Sequence, residues 1–146
     1  MKKLSCFALV LLILLGCLTA CSFTQNMSGA LADTAEATPK VEEMMLALAE
    51  ERVSDAKALM YPQVAETSDN AIAQMSAYLA GREASSMELK SINVSTSAGT
   101  SGKSRQERIA YQVTLTDGAV IYLNVVYRSD NGGTGFASFQ LVLGVV

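Results

Sequence analysis

Ile109-Ala110-Tyr111-Gln112-Val113-Thr114-Leu115, Thr116-Asp117-Gly118 and Ala119-Val120-Ile121-Tyr122-Leu123-Asn124-Val125-Val126-Tyr127 together decide the fold. Ile109, Tyr111, Val113 and Leu115 alternate with small or polar residues, the period of a half-buried strand. Residues 119–127 are apolar on both parities, as in a central strand, and Asp117-Gly118 is the turn between the two. The length of that turn decides which residues face a core. A two-residue turn pairs Val113 with Tyr122 and Tyr111 with Asn124. A three-residue loop, with Gly118 left-handed, pairs Val113 with Ile121 and Tyr111 with Leu123. A slip of one residue exchanges the faces, and only the second register keeps one face continuously apolar. The core face then holds Ile109, Tyr111, Val113, Leu115, Ile121, Leu123 and Val125. The opposite face holds Arg108, Gln112, Thr114, Tyr122, Asn124, Val126 and Arg128.

Outward from this hairpin, residues 130–135 read as a turn-rich loop and 136–143 as a last strand. Strict alternation places Phe139, Leu141 and Leu143 with the core, and Phe136 and Gln140 on the other face. Upstream, Met87 and Leu89 share one parity while Ile92 and Val94 take the other. A bulge near Lys90-Ser91 reconciles them, and bulges also bend sheets. Residues 97–104, with two glycines, read as a loop.

Before Ser85 the apolar period is helical. Thr38 is the expected N-cap of a first helix, with Pro39 at its first position, where a missing N–H costs nothing. Val41, Met44, Met45 and Leu48 form its stripe. The phase shifts across residues 50–53, so the helix breaks there. A second, short helix starts at Ser54, carries Ala56, Leu59 and Met60, and stops at Pro62. Residues 63–67 form a connector. Ser68 or Asp69 caps a third helix striped by Ala71, Ile72, Met75, Tyr78 and Leu79, and Gly81 supplies a left-handed stop.

Helices followed by antiparallel strands give the α+β class, N-terminal helices packed on a curved sheet of about four strands. The pattern from Val41-x-x-Met44-Met45-x-x-Leu48-Ala49 to Val53-Ser54-Asp55-Ala56-Lys57-Ala58-Leu59-Met60-Tyr61-Pro62 resembles the opening of cystatin-like (nuclear transport factor 2-like) domains. The resemblance covers residues 38–146 and implies a cone whose sheet wraps the helices, with a cavity at its open end and pairing through the sheet. Some members are isomerases or dehydratases with an Asp or His base and a Tyr inside the cone. This chain has no histidine, and no acid is expected at an apolar strand position where such a base would sit.

The N-terminus sets the location. Lys2 and Lys3 precede an apolar run through Leu18, the order of an export signal. Leu18-Thr19-Ala20-Cys21 resembles the lipobox of bacterial lipoproteins, which implies removal of residues 1–20 and lipidation of Cys21. Two other readings exist: an uncleaved membrane span, for which about 20 apolar residues are needed, and cleavage after Ala30-Leu31-Ala32, well beyond the apolar run. Residues 21–37 are polar, small and aperiodic, a tether to a domain at 38–146. The expected place is the extracytoplasmic face of a cell membrane, or an outer membrane in an organism that has two. Partners are membrane lipid and a second copy or an envelope protein.

Composition narrows the function. The chain carries 11 basic and 14 acidic residues, and loss of Lys2 and Lys3 leaves 9 against 14. That balance offers no basic footprint for nucleic acid. Cys6 and Cys17 lie in the signal, so no disulfide is available beside an acylated Cys21. No catalytic residue, metal ligand or cofactor motif stands out. Asn131-Gly132-Gly133-Thr134-Gly135 opens no helix and so is not a phosphate cradle. Tyr61, Tyr78 and Tyr111 are candidate pocket residues, and Glu66, Asp69 and Glu107 are candidate bases if buried. Tyr122, Val126, Phe136 and Val142 form a candidate interface on the outer sheet face. The expected function is a membrane-anchored, non-enzymatic binding domain; the alternative is a small-ligand enzyme using a cavity in the cone.

Overall fold

The computed structural model describes residues 35–144. The signal at 1–20, Cys21 and the tether up to residue 34 lie outside the described residues. The elements run α1 (Ala37–Ala49), α2 (Val53–Ala58), α3 (Pro62–Ala65), α4 (Asp69–Leu79), β1 (Ala84–Gly99), β2 (Gly102–Leu115), β3 (Val120–Asp130) and β4 (Gly133–Leu143). The strands form one open antiparallel sheet in the order β1-β2-β3-β4. This is an α+β fold. Val41, Met44 and Leu48 of α1 and Ile72 and Leu79 of α4 share one buried cluster with Ile109, Tyr111, Val113, Ile121 and Leu123 of the sheet. Among the described residues, no helix covers the other face of the sheet.

The decisive hairpin has the three-residue loop. Val113 pairs with Ile121 and Tyr111 with Leu123, Gly118 is left-handed at φ +85°, and the Leu115 N–H donates to the Ala119 carbonyl at 2.8 Å. A register shift lies between Leu89 and Ser91, so Lys90 is the extra residue and Leu89 and Ile92 both face the helices. Ser68 occupies the N-cap position of α4, although its hydroxyl donates back to the Ala65 carbonyl at 3.0 Å instead of capping the helix, and Gly81 ends the segment with φ +70°. These features follow from local turn chemistry and apolar spacing.

Several expectations are corrected. Phe136 lies in the core, not on the outer face, and is fully buried. Val126 pairs with Ser138 but Tyr127 with Phe136, so Ala137 is an extra residue in β4. That bulge turns both Phe136 and Phe139 inward, where their rings meet edge to face at 5.2 Å. Leu143 is exposed instead of core. The expected loop at 97–104 is mostly paired strand, Ser97 opposite Ser104 and Gly99 opposite Gly102. The loop at 130–135 shrinks in the same way, with Asp130 opposite Gly133.

The helix ends also move. Thr38 lies inside α1, Glu36 is at the N-cap position, and the second helix starts after Arg52 instead of Ser54. Pro62 opens α3 instead of merely ending a helix, a favoured place for proline. Leu59-Met60-Tyr61 leaves the helix to pair in parallel with the edge of β4. The Phe136 N–H donates to the Leu59 carbonyl and the Tyr61 N–H to the Phe136 carbonyl, each at 2.9 Å. Gly135 permits this approach, because a Cβ there would stand 2.6 Å from the backbone of Met60 and Tyr61.

Candidate functional site

Glu107, a candidate base only if buried, is buried, against the expectation that no acid takes an apolar strand position. It occupies the same parity of β2 as Ile109 and Tyr111 and is 1 % exposed. Its carboxylate accepts the Glu36 N–H and the Ala37 N–H, both at 3.0 Å. Arg105 Nε donates to it at 2.8 Å. A carboxylate facing the first N–H groups of a helix satisfies donors that have no intrahelical partner and complements the positive end of the helix dipole. Glu107 therefore caps α1 from a strand about seventy positions away in sequence. The sequence signal was its parity with Ile109; the missing information was that a helix start would lie over it.

The candidate pocket tyrosines are placed apart. Tyr111 is buried beside Glu107, and its hydroxyl pairs with Thr38 Oγ1 at 3.1 Å. Burial pushes its pKa up, only partly offset by that hydrogen bond. Tyr61 lies at the β3–β4 turn, where its hydroxyl donates to Asp130 Oδ1 at 2.7 Å. That bond, the Gly132 N–H and Arg128 hold Asp130 below the usual carboxylate range. Tyr78 is near the opposite end of β3, where Arg82 lies 4.2 Å from its ring centroid and reaches Asp117 of the β2–β3 turn. The three do not share one pocket. Of the other candidate bases, Glu66 and Asp69 are exposed, and Asp69 pairs with Lys57 at 2.7 Å.

Beyond the start of α1 the helix-side face of the sheet runs on uncovered. It bounds a groove of about 670 Å³ lined by Glu36, Thr96, Lys103, Arg105, Ser129 and Asn131. A second concavity of about 550 Å³ adjoins it at Tyr61 and Gly132. Hydroxyls and amides share the lining with charged groups, of which Arg105 is committed to Glu107 and Arg128 to Asp130. Glu107 is satisfied by the backbone of α1 instead of facing a reacting group. Among the described residues, no cluster of three or more Cys, Asp or Glu is placed to hold a metal ion.

On the open face of the sheet, Tyr122 pairs across strands with Val142, and these residues are 40 % and 46 % exposed. Val120 is exposed on the same parity, and Val126 is half-buried further along. The surrounding residues are mostly amides, hydroxyls and Arg108. Arg and aromatic residues with few acids is a composition enriched at protein interfaces. Three of the four candidate interface residues thus lie on one face, while Phe136 lies behind it in the core.

Comparisons leave the geometry to stand by itself: no protein family, curated protein or solved structure matches the chain. Among the described residues, no helix is long and apolar enough to cross a membrane.

Proposed function

We propose that the chain is a lipoprotein held by acylated Cys21 on the extracytoplasmic face of a cell membrane, where its domain binds a protein partner without catalysing a reaction. The observation that carries the binding role is the uncovered sheet face with Val120, Tyr122 and Val142 at one end. An apolar and aromatic cross-strand pair left open in a domain that buries Tyr61, Tyr111, Tyr127, Phe136 and Phe139 is suited to a partner's surface. The lipobox-like Leu18-Thr19-Ala20-Cys21 supports the location. Two or more acyl chains are needed for stable anchoring, since each buried methylene contributes about 0.8 kcal/mol.

The helices on one face of a bulged antiparallel sheet support a cystatin-like (nuclear transport factor 2-like) cone. Its interior is filled by Met44, Leu48, Tyr111, Leu123 and Phe136, which favours binding over cavity chemistry. An enzyme of this type would need a carboxylate open to substrate, and both oxygens of Glu107 are taken by α1. Intact-mass measurement of the natural product tests the anchor; an unmodified thiol at Cys21 refutes it. Crosslinking with capture of partners from intact cells tests the face, comparing the natural chain with Tyr122→Glu/Val142→Lys. An unchanged set of partners refutes the role of that face.

A further inference from the structure

The two edges of the sheet differ. The edge of β4 is partly occupied by the chain's own Leu59–Tyr61 backbone. The free edge of β1 has no strand beside it among the described residues. Edge strands are normally guarded by charges, prolines or bulges against pairing with other chains. The first half of β1 has such guards: register shifts at Ala84/Ser86 and Leu89/Ser91, and the charged Glu88 and Lys90. The second half, Ser91-Ile92-Asn93-Val94-Ser95-Thr96-Ser97-Ala98-Gly99, has none. It is regular, uncharged and free of proline, and residues 95–99 are all exposed.

We propose that this edge pairs antiparallel with the same segment of a second copy, joining two sheets into one. The segment is self-complementary about Ser95. With Ser95 opposite Ser95, Ile92 faces Ala98 and Val94 faces Thr96 on the helix-side face, with Asn93 opposite Ser97 on the open face. No charge lies in the overlap. The half-buried Ile92 and Val94 each gain an apolar or β-branched neighbour, the unit that stabilises sheets. A two-fold axis perpendicular to the sheet also keeps both helix layers on one side. Both Glu36 ends, where the tethers join, then face the same way, as two anchors in one membrane require. Only this last point rests on the proposed lipid anchor; the edge pairing stands without it.

Sedimentation equilibrium of the full chain in density-matched detergent tests the pairing. The natural chain is expected to form dimers. Ser95→Lys and Ser95→Glu each place like charges opposite one another at the two-fold axis and weaken self-association about tenfold or more. An equimolar mixture of the two restores it, because Lys then opposes Glu. Ser95 is exposed, so both variants keep the fold, checked by circular dichroism. A monomeric natural chain, a dimer indifferent to both substitutions, or a mixture no tighter than either variant alone overturns the proposal. A dimer lost on Tyr122→Glu but indifferent to Ser95 overturns the edge pairing while leaving the partner-binding face in place.

Discussion

Replacing Glu107 tests whether α1 is held to the sheet as the geometry requires. Its carboxylate accepts two backbone N–H groups at 3.0 Å while 1 % exposed. Hydrogen bonds to a charged group each contribute about 1.5–3 kcal/mol. In Glu107→Gln one amide oxygen still accepts, at the neutral value of about 0.5–1.5 kcal/mol, while the other N–H meets an NH₂ group. Loss of the charge at the helix start removes about a further 0.3–1 kcal/mol, and relief from burying a carboxylate offsets part of the total. The expected net loss is about 2–3 kcal/mol for Glu107→Gln and about 3–5 kcal/mol for Glu107→Ala. Arg105 stays partly exposed and regains water, so it adds little. A domain has about 5–15 kcal/mol in all, so either change is large in urea unfolding at neutral pH. Amide exchange supplies the local readout: the Glu36 and Ala37 N–H groups should lose protection first. A Glu107→Gln chain within about 0.5 kcal/mol of the natural one, the spread of ordinary surface changes, with those amides unchanged, would refute the capping role.

Gly135→Ala drives a methyl into the Met60–Tyr61 backbone, so a loss of about 1–3 kcal/mol is expected in urea unfolding, with faster exchange of the Tyr61 and Phe136 amides. Phe136→Ala should cost about 3–5 kcal/mol as a core deletion, whereas Tyr122→Ala on the open face should change stability far less; equal losses would contradict the bulge at Ala137. Asp130 has its folded pKa depressed below the ordinary 3.8, first by Tyr61 and then by the Gly132 N–H. Its contribution is therefore present above the ordinary carboxylate value and lost as pH falls through the lower folded value. NMR titration of Asp130 should show its midpoint rise toward 3.8 in Tyr61→Phe; an unmoved midpoint would mean the hydroxyl does not reach it.

How far the fold was legible depended on whether neighbouring residues carried the signal. The β2–β3 register could be read because Thr116-Asp117-Gly118 and the apolar alternation on both sides agree on one loop length. The bulge at Lys90 could be read because Leu89 and Ile92 change parity within the strand itself. Phe136 was misplaced because strict alternation from Phe139 sends it outward, and the extra Ala137 shows only when β4 is laid against β3. For the candidate site, Tyr122, Val126 and Val142 kept their expected face, while the three tyrosines proposed to share a pocket were scattered by the packing of the helices.

By itself, the sequence determined the α+β class, the order of helices before strands and the facing of the central hairpin, since each depends on spacing within about a dozen residues. Tertiary structure decided the rest: Glu107 over the start of α1, Phe136 under Leu59–Tyr61, and the difference between the guarded and unguarded halves of the β1 edge. A buried carboxylate is tolerated only where donors from elsewhere meet it. A bulge likewise has meaning only against its partner strand. Both are relations between distant segments, and residue order alone does not carry them.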